Sequence, residues 1–426
     1  MHPGMQFNQA IKLHVWENKQ STPIPFSRKY FHYAGLDRYF DKSPLDYTGF
    51  RLLYPIDADK VHQEFLVFQG ASYFRSRGRD ETYGLSARAI ALNTHSKTPE
   101  EFPTYTQFWI EKPQKGSKRL RICGLLDSPS LTGATEFIIE PNDTTTMLVE
   151  TVIYPRKPLQ EVGIAPLTSM FFHGENALST YGDYRPEVHD SDGLLIKQDK
   201  QKWHWHPLRE AEWVEVKVFD EGLPQGFGLL QRDRNFDHYQ DINADYQLRT
   251  SAWIEPLNDW GKGQLKFVQH STDSDIQDNV VTYWRPQQVT AGQHFKYRLH
   301  WGTPTITQHK LGKIHATRIA TGDAERVLDK KKLIRFIIDI IDVEKTEATP
   351  TIITQLYGKG QFTFQAIQAN PHIRHGWRVL LYVQIENCEP PPSLSMRLSN
   401  KLNQQALSET WFYQLPPSLC HATQSP

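Results

Sequence analysis

The feature that most constrains this chain is alternation. In Trp213-Val214-Glu215-Val216-Lys217-Val218-Phe219, and again in Phe295-Lys296-Tyr297-Arg298-Leu299-His300-Trp301, apolar and polar residues change places at nearly every step. Successive side chains of an extended strand point to opposite faces, so this pattern describes strands with one face on a core and the other in water. Turn-forming clusters such as Glu140-Pro141-Asn142-Asp143 and Leu257-Asn258-Asp259-Trp260-Gly261 separate many such segments, which points to antiparallel sheets packed as a sandwich. Helical periodicity is scarce. Its best stretch, Leu159 to Met170, contains Gly163 and Pro166, and both oppose a long helix.

A chain of 426 residues exceeds what one core usually supports, so two domains are expected. The pattern changes after Trp301, where Gly302-Thr303-Pro304-Thr305-Ile306-Thr307 is polar and Pro-containing. This predicts a large first domain over 1–303, a linker over 304–317 and a smaller domain over 318–426. The second part holds strand-like runs at Leu333 to Ile341, Thr351 to Leu356, Phe362 to Ile367, Val379 to Ile385 and Thr410 to Gln414, which suit an immunoglobulin-like sandwich.

Charge narrows the function. Lys and Arg number 48, Asp and Glu also 48, and the longest basic run is Lys330-Lys331-Lys332, read as a solvated patch. Nucleic-acid binding draws on an excess of cations, so no nucleic-acid partner is expected. Aromatic residues make up 12%, and rings serve both β-sheet cores and flat platforms for neutral sugars. Cys123, Cys388 and Cys420 show neither a zinc spacing nor a disulfide framework. The start, MHPGMQFNQAIKLHVW, lacks the basic and apolar regions of an export signal, and no apolar run approaches the ~18 residues of a membrane-spanning helix.

Several stretches carry ionisable groups suited to chemistry. RPEVHDSDGLLI, residues 185 to 196, sets His189, Asp190 and Asp192 before an apolar run. Asp190-Ser191-Asp192-Gly193 begins like a calcium loop, but Leu194 and Ile196 occupy ligand positions, so an EF-hand fails. A DxD metal clamp stays open beside an acidic turn or half of a catalytic pair. Trp203-His204-Trp205-His206 puts two histidines on one strand face without a third ligand, and reads as surface histidines. STDSDIQDNVVTYW, residues 271 to 284, brings Asp273, Asp275 and Asp278 ahead of a strand; turn aspartates are the plainer reading. Glycoside hydrolysis, however, needs two carboxyl groups, one donating to the leaving oxygen and one activating water or attacking, and two acidic loops supply them. Residues 226 to 256 crowd Arg232, Asp233, Asp237, His238, Tyr239, Tyr246 and Trp253 together, and GASYFRSRG and YGLSARA add Tyr73, Arg75 and Arg88. A polar, ring-lined cleft accommodates such groups; sheet-face ion pairing is the alternative.

These stretches, with EEFPTYTQFWIEKP, LLDSPSLTGATEF, GFGLLQRDRNFDHYQD, RTSAWIEPLNDWGKG, DNVVTYWRP and LSETWFYQ in order along the chain, resemble the periplasmic glucan biosynthesis proteins G and D. The resemblance implies an all-β fold, a large galactose-mutarotase-like β-sandwich followed by a small immunoglobulin-like one. It implies a role in making osmoregulated periplasmic glucans, through inverting endo-hydrolysis of the β-1,2-linked glucose backbone. Asp278 of DNVV falls at the general acid and Asp190 of HDSD at the general base. Tyr246 matches a tyrosine of the water path, and Asp275 a carboxylate, often Glu, that assists the acid. Asp278 must then hold its proton while Asp190 stays ionised beside His189 and Arg185. Tyr73, Tyr239, Trp253, Trp260 and Trp284 are the candidate glucose platforms, and Arg75, Arg88 and His189 the polar contacts. No metal or cofactor is expected. A non-catalytic glucan-binding factor partnering a membrane glucosyltransferase, or a transglycosylase, are the other readings. Family members carry an export signal and roughly a hundred further residues ahead of this start, so the chain is expected to lack both, and a periplasmic location rests on the resemblance alone.

Overall fold

The computed structural model describes residues 9–31, 46–58, 60–178, 182–302, 309–321, 333–387, 389–417 and 419. The expectations placed on residues 1–4, 303–308, Lys330 to Lys332, Cys388 and Cys420 lie outside them. The elements given by residue range are strands, apart from three 3-10 turns at Arg28–Tyr30, Phe236–His238 and Tyr246–Leu248. The chain is all-β, as the alternation predicts.

Two large sheets, of 14 and nine strands, face each other. Alternation is purest in Leu131–Glu140 and Thr145–Pro155, paired antiparallel with Phe137 opposite Val149 and Ile139 opposite Met147. Their inward residues meet the nine-stranded sheet through rings: Phe137 lies 5.1 Å from Phe68 and 5.3 Å from Phe74, both edge-on. Burying each Phe contributes about 1.5–3 kcal/mol, and each edge-to-face pair about 0.5–1.5 more.

Two local readings are corrected. The best helical stretch is a strand, Val162–Ser169, with all eight residues buried. It runs between Val280–Pro286 on one side and Ser86–Arg88 and Ile90–Leu92 on the other, so covered faces remove the alternation that would have revealed it. Pro166 is tolerated at a register shift between Ile164 and Leu167, where Ala165 takes φ 49°. The second correction concerns Glu215–Phe219, which is a strand with its faces opposite to expectation: Val216 and Val218 are exposed, while Glu215, Lys217 and Phe219 turn inward. Glu215 pairs there with buried Arg209 and Phe219 packs on the core, so ion pairing and register outweigh the two valines.

The second part is joined to the first by more than a connection. Lys313–Thr321 is already a strand, which shortens the expected linker. Trp203–Pro207 pairs in parallel with Thr410–Gln414, so three later strands prolong the 14-stranded sheet. Those three face a four-stranded sheet that includes Leu333–Ile341, and the core between them holds Phe336, Trp411 and Tyr413 with Trp203, Trp205 and Trp253 of the first part. At the junction Glu409, fully buried, receives both Nη atoms of Arg232 at 2.7 and 2.8 Å, Nε2 of His309 at 2.8 Å and the Ile314 amide at 3.0 Å. Burial opposes ionisation of Glu409, yet Arg232 and His309 hold its carboxyl down to about 2. Arg232 also stacks 3.6 Å over the Trp205 ring. Removing one partner of a buried pair strands the other, so Glu409→Ala should lower unfolding free energy by roughly 3–5 kcal/mol, whereas Arg232→Met with Glu409→Leu should lose much less. Denaturant unfolding measures both, and a single-variant loss under about 1 kcal/mol would contradict this account of the junction.

Candidate active site

Two carboxylates 88 positions apart are brought to one place by a three-residue segment. At the end of Val162–Ser169, Ser169 O accepts the Asn279 amide at 3.1 Å, and Met170 O accepts the Asp190 amide at 2.9 Å. Phe171 N donates to Asn279 Oδ1 at 2.8 Å, and Asn279 Nδ2 donates to Phe171 O and His270 O, each at 2.9 Å. Ser169 Oγ also meets Ser191 Oγ at 2.8 Å. Residues 169–171 therefore hold the backbone beside Asp190 with one set of bonds and that beside Asp278 with another.

The two side chains share charges. Asp278 Oδ2 lies 3.9 Å from Arg75 Nη2, and Asp190 Oδ1 3.5 Å from Arg249 Nε, too poorly aligned to bond; this buried oxygen has no hydrogen-bond partner. Burial pushes Asp190 up to about 6 against the pull of Arg249, and the charge of Asp278 adds to the rise. Burial also raises Asp278, opposed by Arg75 and Arg88. The expected contrast is thus incomplete: Asp190 is mainly ionised at neutral pH, as a base requires, but Asp278 faces two cations. Tyr73 stands opposite Arg88 in the strand pairing, with the guanidinium 4.7 Å over its ring, so Tyr73, Arg75 and Arg88 lie on the Asp278 side.

Arg185 does not serve Asp190. Its guanidinium grips Asp183 through Nε and Nη2, and its Nη1 reaches Asp241 at 3.0 Å and Asp275 at 2.9 Å. Three loops are tied by this one cation. Tyr246 lies next to them: burial, then the charges of Asp275 and Asp190, raise its phenol, which stays protonated. Asp190, Tyr246 and Asp275 are therefore neighbours, with Asp275 ion-paired to Arg185, which it shares with Asp183 and Asp241.

Other expected contacts fall elsewhere. Trp253, Trp260 and Trp284 are buried, at 1%, 0% and 0% exposure, and Tyr239 at 0%, so none offers a platform. Trp253 stacks on Trp203 at 5.9 Å, and Trp260 packs edge-on to Phe295 and Tyr297. Strand faces that look amphipathic in sequence are covered here, as they are at His204 and His206, which are buried against Phe412, with Phe219 also on His206. His189 is fully buried behind Asp190. Asp192 Oδ2 accepts the backbone amides of Arg232 and Asp233, which makes it a turn staple. Side-chain atoms of Glu187, His189 and Asp192, and of Glu187, Asp233 and His238, lie within 4.8 Å of one another. Both His189 nitrogens are committed, to Gln231 and Glu187, and His238 Nδ1 meets Asp233.

Residues 1–415 match the family model described as periplasmic glucan biosynthesis protein, MdoG. The chain belongs to this family. Proteins named glucans biosynthesis protein G from three strains of Shewanella baltica are each 36% identical over 419 residues, covering 97% of this chain and 76% of theirs. The family acts in periplasmic glucan biosynthesis, and among the described residues no helix is long and apolar enough to cross a membrane.

Asn279 and Gln231 carry much of the family member's site and were missed in sequence, because a neutral amide has no spacing signature; its worth appears only when its acceptors are in place. A cavity of about 460 Å³, lined by Phe171, Phe172, Ala211, Thr272, Asp273 and Asn279, adjoins the clamp. Asn279→Asp would set a carboxylate oxygen against the Phe171 and His270 carbonyls. It should cost more than about 2 kcal/mol in denaturant unfolding, and a neutral effect would show that the clamp does not depend on this amide.

Proposed function

We propose that the chain hydrolyses the β-1,2-linked glucose backbone of periplasmic glucans with inversion, Asp278 acting as general acid and Asp190 as general base. The carrying observation is the pairing itself: two raised carboxylates within reach of each other's charge, one with an unbonded buried oxygen, and one segment stitched to both. Burying a carboxylate oxygen without a partner costs free energy, so its persistence supports a role toward substrate or water. In the reaction Asp190 takes a proton from water as its oxygen bonds to the anomeric carbon, and Asp278 gives its proton to the departing glycosidic oxygen. The products are a new reducing end and an alcohol. Tyr246, next to Asp190, lies on the path of that water. Arg75, Arg88 and Tyr73 provide hydrogen-bond donors and a partly exposed ring for glucose units. A bound neutral glucan displaces water from Asp278 and raises it further, supplying the contrast that the free site lacks.

In this reading residues 1–303 form the galactose-mutarotase-like glucan-binding part and the remainder an immunoglobulin-like unit. One observation favours a second reading. Arg75 and Arg88 around Asp278 favour its ionised form, which suits a site that holds glucan for a membrane glucosyltransferase without cleaving it.

Purified protein incubated with linear β-1,2-glucan should generate new reducing ends. Asp278→Asn and Asp190→Asn should each reduce the rate by about 10²–10⁴ with an unchanged unfolding midpoint. Full activity in both variants would refute the acid/base assignment; binding without new reducing ends would establish the holding role; products that lengthen while linkages are conserved would show transfer. The kcat/KM profile should lose activity as pH falls through about 6, where Asp190 of the free enzyme takes up its proton.

A further inference from the structure

Directly behind Asp190 lies a buried group that the reaction above leaves unused. Gln231, 2% exposed, follows the Gly226–Leu230 strand. Its Nε2 faces three oxygens, each at 3.0 Å: the carbonyls of His189 and Tyr246 and the hydroxyl of Tyr239. Carbonyl oxygens only accept, so the amide nitrogen must point at them and the amide oxygen must point the other way. That oxygen meets His189 Nδ1 at 3.0 Å, which obliges Nδ1 to carry a proton. The opposite ring nitrogen, Nε2, stands 2.9 Å from Glu187 Oε2 and 3.8 Å from Asp192 Oδ1. A neutral ring would turn its lone pair toward two carboxylates. The hydrogen-bond logic therefore demands a proton on both nitrogens. The ring has no freedom to turn, since Phe171 stacks on it at 5.2 Å and 12°, and Tyr239 meets it edge-on at 5.2 Å.

We propose that His189, locked as an imidazolium between Gln231 and Glu187, is a positioning residue that keeps Asp190 ionised and fixes it against Tyr246. This rests on the reading of Asp190 as base. One amide joins the backbone on either side of the site: the His189 carbonyl, one residue before Asp190, and the Tyr246 carbonyl share the nitrogen of Gln231. A shift of either segment breaks a buried hydrogen bond. The charge acts on the same carboxylate. Asp190 faces Arg249 from the end of the Tyr246–Leu248 turn, Arg75 from Tyr73–Ser76, Asp278 from the loop before Val280–Pro286, and His189 from its own segment. Arg75 and Asp278 oppose each other, so Arg249 is the main cation that favours the ionised base, and the imidazolium adds a smaller pull in the same direction. His189 in turn faces Glu187, Asp192 and Glu175. Burial works against its charge and also pushes the Glu175 carboxyl well up, but Glu187 and Asp192 prevail and raise His189 to about 9, so the cation persists through neutral pH.

The test has two arms on the full chain. Nitrogen NMR of 15N-histidine-labelled protein, with His189 assigned by its loss in a His189→Asn variant, should show both ring nitrogens protonated from pH 6 to 8; a neutral tautomer at pH 7 overturns the proposal whether or not the protein cleaves glucan. Carboxyl 13C titration should then place Asp190 higher by a few tenths of a pH unit in His189→Asn or His189→Gln than in the unsubstituted protein, about a twofold loss of ionised base below its midpoint. The acid limb of kcat/KM on linear β-1,2-glucan should move with it. Thermal unfolding identifies a folded variant, and if neither folds, Gln231→Met is titrated instead: loss of the Nδ1 acceptor should release the ring to a neutral form near pH 7. An unmoved Asp190 in a folded His189 variant, or a ring still fully charged at pH 8 in Gln231→Met, overturns the proposal. If the NMR arms succeed while unsubstituted protein produces no reducing ends, the positioning unit stands and the hydrolytic reading fails.

Discussion

The site depends on the backbone of Ser169, Met170 and Phe171. These residues leave a strand buried on both faces, so their position is set by the core and not by the loops they hold. From that fixed point, hydrogen bonds run to Asp190 on one side and Asn279 on the other. Main-chain bonds between buried groups are costly to leave unmade, which turns two distant stretches of sequence into one wall. Phe171 adds a second hold on the Asp190 segment by pairing with His189 and stacking on its ring.

Around that wall the charges are sorted. Arg185 satisfies Asp183, Asp241 and Asp275; Arg232 satisfies Glu409; His189 answers Glu187 and Asp192. At the site itself Asp190 is underbonded, with one buried oxygen that has a cation nearby but no hydrogen bond. Burial raises its carboxyl against the pull of Arg249. The second part of the chain reinforces the sorting, because Arg232 bridges Glu409 and the turn stapled by Asp192. The Thr317 amide likewise donates to Glu175, one of the carboxylates around His189.

Much of this was legible in sequence. Strands such as Leu333–Ile341 and Thr410–Gln414 end where alternation and turn residues put them. Asp190, Asp278, Tyr246, Asp275, Arg75, Arg88 and Tyr73 gather in one region. The tryptophans failed as platforms because a ring in an alternating strand reads the same whether its outer face meets water or a second layer. Val162–Ser169 was unreadable for the converse reason: a strand buried on both faces has no alternation to show. The valines of Glu215–Phe219 point outward because Glu215 must meet Arg209, a long-range pairing with no local mark. Gln231 and Asn279 act through acceptors that only the folded chain assembles.

The central claim is that Asp190 and Asp278 work on the same sugar bond. A crystal structure of the Asp278→Asn variant with a linear β-1,2-glucan oligomer tests it most directly. The account predicts a glycosidic oxygen within hydrogen-bonding distance of the side chain at position 278, and a water between Asp190 and the adjoining anomeric carbon. A glucan bound away from both side chains, or one whose glycosidic oxygens all lie out of reach of position 278, would contradict it.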